Sequence, residues 1–268
     1  MATIAGHVAT FFGSRLVLIH VGKRGTAEEA RMEELVQSAG LHLVDVKVVW
    51  REGDPVRNIR NVCKEEQVDL LIAGALKKEN IVKYYIGTIA RQLMRSADCS
   101  VLMIQKPFVP ALPMKDMVVN ADDGPHMEDA VELACYMGLR SGAQWVHVVR
   151  ELKLYGLSMA ASEYHTEQEY DDLRQKMVKA EIEKVEDVLG KIQMEKPRIN
   201  IKVISGKSGF ELSRFAERKH ADLLIVGAPH QQFSFFDRMF PHDLEYIFAD
   251  LPCNLLVVKS PVKDKLHG

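Results

Sequence analysis

The sequence predicts an α/β protein of two tandem units, each an open, mostly parallel sheet flanked by helices. Three observations lead there. Short apolar runs suited to strands buried on both faces alternate with segments of helical spacing. One run, Val68-Asp69-Leu70-Leu71-Ile72-Ala73-Gly74-Ala75, returns as Ala221-Asp222-Leu223-Leu224-Ile225-Val226-Gly227-Ala228, an offset of 153 from Gly74 to Gly227. That register holds on both sides of the run. Gly53 matches Gly206, and Ile59, Val62 and Cys63 match Leu212, Phe215 and Ala216, while Asp98 to Leu102 match Pro252 to Leu256 at an offset of 154. A register kept through helix, strand, loop, helix and strand marks an internal repeat. The length of 268 residues suits two such units, placed at 1–107 and 114–262.

The first unit opens with a helix over 2–12, carried by Ile4, Val8, Phe11 and Phe12. A strand from Arg15 to Val21 follows, then a helix from Ala27 to Gln37 ending near Gly40, and a strand from Leu41 to Trp50. Asp54 caps a helix reaching about Gln67, with Pro55 at its first position. The Val68–Ala73 strand leads through Gly74 and a loop to a helix opened by Gly87-Thr88 and continued by Ile89, Ala90, Leu93 and Met94. Cys99 to Gln105 is the closing strand. Residues 106–113, with prolines at 107, 110 and 113, form a stiff linker.

The second unit begins with a strand, Asp116 to Asn120, and an acidic turn, Asp122-Asp123-Gly124-Pro125. A helix (Met127 to Leu139), a strand (Gln144 to Val149) and a less regular stretch (Leu154 to His165) precede a long charge-laced helix, about Thr166 to Gln193. Its interleaved acids and bases read as a solvated face. A strand (Ile199 to Ile204), a helix (Gly209 to Lys219), the repeated strand, a loop, a helix near Asp243 to Phe248 and a strand (Leu255 to Lys259) complete it. In such sheets crossovers are right-handed, and ligands sit at the carboxyl ends of the strands.

Composition narrows the function. The formal net charge of −2 argues against nucleic acid or an anionic membrane surface as the main partner. No apolar run approaches a membrane span, and no signal peptide is visible. Cys63, Cys99, Cys135 and Cys253 are scattered within apolar elements and read as buried, reduced thiols of a cytoplasmic protein. The histidines show no metal-ligand spacing and no Gly-x-Ser-x-Gly elbow is present, so neither a metal site nor a catalytic triad is expected. Trp50 and Trp145 are expected in the core or at the interface between the units.

One stretch carries a binding signature. A strand ending at Gly74 and a helix opened by Gly87-Thr88 make an anion cradle, because free N–H groups, the helix dipole and a hydroxyl converge there.

On these residues the chain resembles the universal stress protein family as two tandem copies covering nearly its whole length. That family is an α/β fold related to the adenine nucleotide α-hydrolases. Many members bind ATP through Gly-x2-Gly-x9-Gly-Ser/Thr after this strand. The first copy reads Gly74-x2-Lys77-x9-Gly87-Thr88. Lys77 in place of the middle glycine either adds a phosphate-binding charge or fills space the backbone needs. In the second copy His230 stands at the middle position and Phe240-Pro241 replace Gly-Thr, and proline removes an N–H. The resemblance therefore implies ATP or a related adenine nucleotide in the first unit and none in the second. The family also places an Asp at the end of its first strand, which Asp122 matches. The implied binding residues are Val21, Gly74, Lys77, Gly87, Thr88 and Asp122.

The first copy lacks the counterpart of that strand. Gly13-Ser14-Arg15-Leu16 aligns with Gly142-Ala143-Gln144-Trp145 at an offset of 129, so Met1 corresponds to Ala130 and nothing matches Met114–Asp129. Either the chain is cut from a longer protein or the first unit completes its sheet another way.

Three functions follow from the resemblance. One is a cytoplasmic, non-enzymatic stress-response regulator whose copies pair through their last strands as a pseudo-dimer, with further homodimerisation open. Another is a regulatory module of a cation/proton antiporter or other membrane protein, tethered at the inner face of the membrane by a transporter portion of the same chain. The third is an adenine-nucleotide hydrolase.

Overall fold

A computed structural model of the chain describes residues 1–41, 44–77, 84–105, 114–124, 126–152, 167–206, 209–228 and 242–259. The first half runs α1 (Ala2–Phe12), β1 (Leu16–Val21), α2 (Thr26–Ser38), β2 (Val46–Arg51), α3 (Pro55–Glu65), β3 (Leu70–Gly74), β4 (Leu76–Lys77), β5 (Tyr84–Tyr85), α4 (Thr88–Ser96) and β6 (Ser100–Ile104). The second half runs β7 (Asp116–Asn120), α5 (Met127–Ser141), β8 (Trp145–Leu152), α6 (Glu167–Lys191), β9 (Ile199–Ser205), α7 (Phe210–Arg218), β10 (Leu223–Ala228), α8 (His242–Ala249) and β11 (Asn254–Lys259).

Local chemistry sets these boundaries. The Asp54 carboxylate accepts the Arg57 N–H at 2.7 Å and Pro55 occupies the first turn of α3. The matched helices α1 and α5 end alike, on Gly13 and Gly142, each at φ 66°, a left-handed conformation that suits glycine.

Seven strands form one sheet in the order β3-β6-β11-β10-β7-β8-β9. All neighbours are parallel except β6 and β11, which pair antiparallel with Met103 opposite Leu255, Leu102 opposite Leu256 and Val101 opposite Val257. The closing strands thus join the two halves into one sheet, the intramolecular pairing expected from the resemblance. Successive residues of the joint point to opposite faces. Val101, Met103, Leu255 and Val257 enter a core with α7 and α8, while Leu102 and Leu256 enter a second core with α1, α5 and α6. Both cores draw on both halves.

β1 and β2 form a separate parallel pair. Among the described residues no strand links β1 to β3, at the place β7 takes between β8 and β10 in the second half.

Several elements differ from the sequence reading. The strand expected from Leu41 starts only at Val46, because Leu41 turns inward: it is 1% exposed and its Cδ2 lies 2.4 Å from where a Cβ on Gly6 of α1 would sit. β8 continues to Leu152, three residues past the expected end. The segment after Gly74, read as loop, starts with the β4–β5 ladder, Leu76 opposite Tyr85 and Lys77 opposite Tyr84. Trp145 is not a core residue: it is 41% exposed, stacked on His147. Trp50 is half-buried against His20, with Arg24 over its ring. The proline linker, the 154–165 stretch, His230 and Phe240-Pro241 lie outside the described residues.

Candidate nucleotide site

The candidate cradle starts where β3 ends. Gly74 is exposed, and the Met1 sulfur lies 3.7 Å from where its Cβ would be. Ala75 N–H then donates to the Ile104 carbonyl at 2.9 Å, keeping the chain beside β6 before it enters β4. On the return side the second half fixes the segment. Leu251 N–H donates to the Tyr84 carbonyl at 3.0 Å and Ile86 N–H to the Phe248 carbonyl at 3.0 Å. The Arg91 guanidinium fastens the same corner, donating to the carbonyls of Ile86 (2.8 Å) and Phe248 (3.3 Å) and lying 6.0 Å from the Phe248 ring centre.

Gly87 caps α4 in an extended conformation, and the exposed Thr88 is the first helical residue. The first helical bond runs from Arg91 N–H to the Gly87 carbonyl at 2.9 Å, so the N–H groups of Thr88, Ile89 and Ala90 precede the helical ladder, at the positive end of the helix dipole. A Cβ on Gly87 would lie 2.7 Å from Leu76 Cδ1, so β4 packs directly against the helix start.

The structure distributes the six candidate residues over three places. Gly74, Lys77, Gly87 and Thr88 follow one another along the β3–α4 segment. Val21 ends β1, in the separate two-stranded sheet. Asp122 follows β7 in the second half, where its carboxylate accepts the Gly124 N–H at 2.8 Å. Burial raises the Asp122 carboxyl pKa above its ordinary value, and the bond from Gly124 and the charge of Arg150 oppose that rise. Asp122 here holds its own turn.

Sequence reading missed the residue that organises that corner, Arg150 of β8. It is 2% exposed and donates to the Ala121 carbonyl at 2.7 Å, to Asp123 and to Glu181 of α6. Burial works against its charge; the bonds to Glu181 and Asp123 outweigh that and hold its pKa above the ordinary arginine value. An arginine inside the apolar strand Val146–Leu152 was the available signal, since a buried cation needs acidic partners. Next to it, the buried Asn120 Oδ1 has no hydrogen-bond partner among the described residues. The His126 carbonyl oxygen lies 2.9 Å from where a Cβ on Gly227 would sit, so the turn closes tightly over β10.

Comparison with known proteins fits this tandem architecture. The sequence model of the universal stress protein family matches residues 8–105 and again 114–259. The chain belongs to the universal stress protein family. A universal stress protein of Methanothermobacter thermautotrophicus is 31% identical over 62 residues, 23% of this chain and 42% of that protein. Universal stress protein MJ0531 of Methanocaldococcus jannaschii is 29% identical over 64 residues, 24% of this chain and 38% of that protein. The matches thus span about two fifths of these curated relatives. Among solved structures, the fold is similar to a functionally unknown protein, PA1789, from Pseudomonas aeruginosa PAO1, with a TM-score of 0.68 and 17% identity over 95% of this chain and 85% of that one. It is also similar to a universal stress protein from Archaeoglobus fulgidus, with a TM-score of 0.64 and 15% identity over 96% and 92%. This universal stress protein therefore carries two copies of the family domain that share one sheet, and in the described residues no helix is long and apolar enough to cross a membrane.

Proposed function

We propose that this universal stress protein is a non-catalytic cytoplasmic regulator that binds an adenine nucleotide through its first unit. The observation that carries the reading is the start of α4. Gly87 caps the helix, Thr88 opens it with its side chain exposed, and the following N–H groups stand ahead of the first helical bond. Such a terminus suits a phosphate. Tyr84, Ile86 and Arg91 are fixed to the second unit, which holds that terminus in place before a ligand arrives. The four cysteines are free and buried, in keeping with a reducing compartment.

Calorimetric titration of the chain with ATP, ADP and AMP tests the reading, with Gly87→Phe as the control. A phenylalanine ring cannot occupy the space Leu76 fills beside Gly87. Saturable binding near one site per chain, lost in the variant, is the expected result. A folded chain that binds none of the three overturns the reading and leaves an interaction module in its place.

A further inference from the structure

We propose that Cys63 and Cys99 form an oxidation site, where hydrogen peroxide converts the two thiols into a reversible disulfide with the Lys259 ammonium alongside. Two observations carry this, and neither involves a nucleotide.

The first is where the thiols lie. Cys63 sits in the last turn of α3, Cys99 directly precedes β6, and their side chains share a hydrogen bond. The neighbouring residues tie the same two elements together, Lys64 Nζ lying 3.1 Å from the Asp98 carboxylate. Cys63 and Cys99 belong to one core and are 8% and 6% exposed, so a small oxidant suits them and a bulky one does not. A solitary buried thiol is inert, whereas a thiol held against a second one beside a cation has a stabilised thiolate and a resolving partner.

The second is a contrast inside the molecule. The closing strands exchange anchors across the joint. Lys259 N–H donates to the Ser100 hydroxyl at 3.1 Å, and its ammonium donates to the Ala97 carbonyl. At the matching places, Gln105 N–H donates to Asn254 Oδ1 at 3.0 Å and its side-chain amide to the Leu251 carbonyl at 2.6 Å. Within this shared frame the chemistry differs. The first site brings together Cys63, Cys99 and an ammonium; the second has Ala216, Cys253 and the neutral Gln105.

Access does not separate the two sites, since Cys253 is 5% exposed. Electrostatics does. The hydrogen bond from Cys63, with help from the Lys259 charge, outweighs burial and holds the Cys99 thiol below its ordinary pKa. Cys63, the donor of that bond, is pushed up. Burial and the charges of Asp222 and Glu217 push Cys253 up, and burial pushes Cys135 up to about 11. Cys99 is therefore the attacking thiolate and Cys63 the resolving thiol.

The Cys99 sulfur attacks one oxygen of the peroxide and the O–O bond breaks. That sulfur becomes a sulfenic acid, and the departing hydroxide takes the proton Cys99 gave up, leaving as water. The Cys63 sulfur then attacks the sulfenic sulfur. An S–S bond forms, the S–O bond breaks, and the hydroxyl leaves with the Cys63 proton as a second water. The thiol pair is oxidised by two electrons and the peroxide is reduced to water; an added dithiol reverses the change.

The test treats the folded full chain with hydrogen peroxide, blocks remaining thiols with N-ethylmaleimide in denaturant, and maps the peptides by mass spectrometry before and after reduction. A Cys63–Cys99 disulfide that disappears on reduction is expected, with Cys135 and Cys253 still blocked as thiols. Cys63→Ala copies the second unit and should stop at the sulfenic acid, captured on Cys99 by dimedone. Lys259→Gln, again the second unit's chemistry, should slow oxidation of Cys99 by about threefold or more. A folded wild-type chain that yields no Cys63–Cys99 disulfide overturns the proposal, whatever the variants do. So does oxidation of Cys253 as fast as Cys99, or a wild-type rate in Lys259→Gln.

Discussion

Lys259, the last residue of β11, is 6% exposed, and its ammonium donates to the Ala97 carbonyl at the joint between the units. Burial pushes its pKa down from 10.5 to about 8; Cys99 and Asp98 oppose that fall and Arg60 adds to it. A lysine whose folded pKa lies below its unfolded value keeps its proton longer in the unfolded chain. Its contribution is therefore flat below about pH 7, rises with pH between about 8 and 10.5, and is flat above. At about 1.4 kcal/mol per pKa unit, the full rise is about 3 kcal/mol. The perturbation is Lys259→Met, which keeps the stem and removes the titrating group. Urea unfolding of both proteins at a series of pH values from 7 to 10.5 gives the stability difference, in which the titration of groups common to both cancels. Losing the bond to the Ala97 carbonyl adds a constant cost of about 1–3 kcal/mol to the variant. Wild type is expected to gain on the variant by about 3 kcal/mol across the window. A difference that stays constant over that range refutes the argument, because it would mean that burial does not disfavour the charged form.

Two further substitutions test the packing described above. Arg150→Met leaves Glu181 and Asp123 without their buried partner and should cost about 3–5 kcal/mol in urea unfolding, part of which the double variant with Glu181→Leu should recover. Gly138→Ala places a Cβ 2.6 Å from Val146 Cγ2, 3.1 Å from Pro197 and 3.2 Å from Met117 in the core beneath α5. Its thermal midpoint should fall with a loss of about 1–3 kcal/mol, whereas Gly190→Ala in α6, with nothing within 4 Å, should leave stability unchanged or raise it by up to about 1 kcal/mol.

Most of the fold was legible because periodicity and repetition report burial. The apolar run Leu223–Val226 could only be a strand covered on both faces, and its match at Leu70–Ala73 carried the tandem reading. The β6–β11 joint was expected from the resemblance, and the burial of Val101 to Ile104 agrees with it: all four are buried, Val101 and Met103 in one core and Leu102 and Ile104 in the other. What escaped depends on contacts between residues distant in sequence. Leu41 looks like the start of a strand until its packing against Gly6 is known. Nothing near Trp145 in the sequence tells that its ring stays exposed. The candidate site was legible as a segment, Gly74 to Thr88, but its anchoring was not. Arg91 and Phe248 are 157 residues apart, and the carbonyl that receives the Arg91 guanidinium belongs to the other unit. Arg150 was readable only as an anomaly, since Asp123 and Glu181 reach it from elements 27 and 31 residues away.

The β6–β11 joint also bears on how the two copies diverge. When two identical chains meet through their last strands, every substitution appears on both sides at once, and symmetry keeps the sites alike. Here the partners are halves of one chain, so their meeting does not depend on concentration, and each half varies alone. One copy can keep Gly87-Thr88 while the other carries Phe240-Pro241 at the matching place. The second half contributes the carbonyl and ring of Phe248 and the Leu251 N–H to steady the first. Covalent linkage has turned a symmetric pair into a holder and a held part.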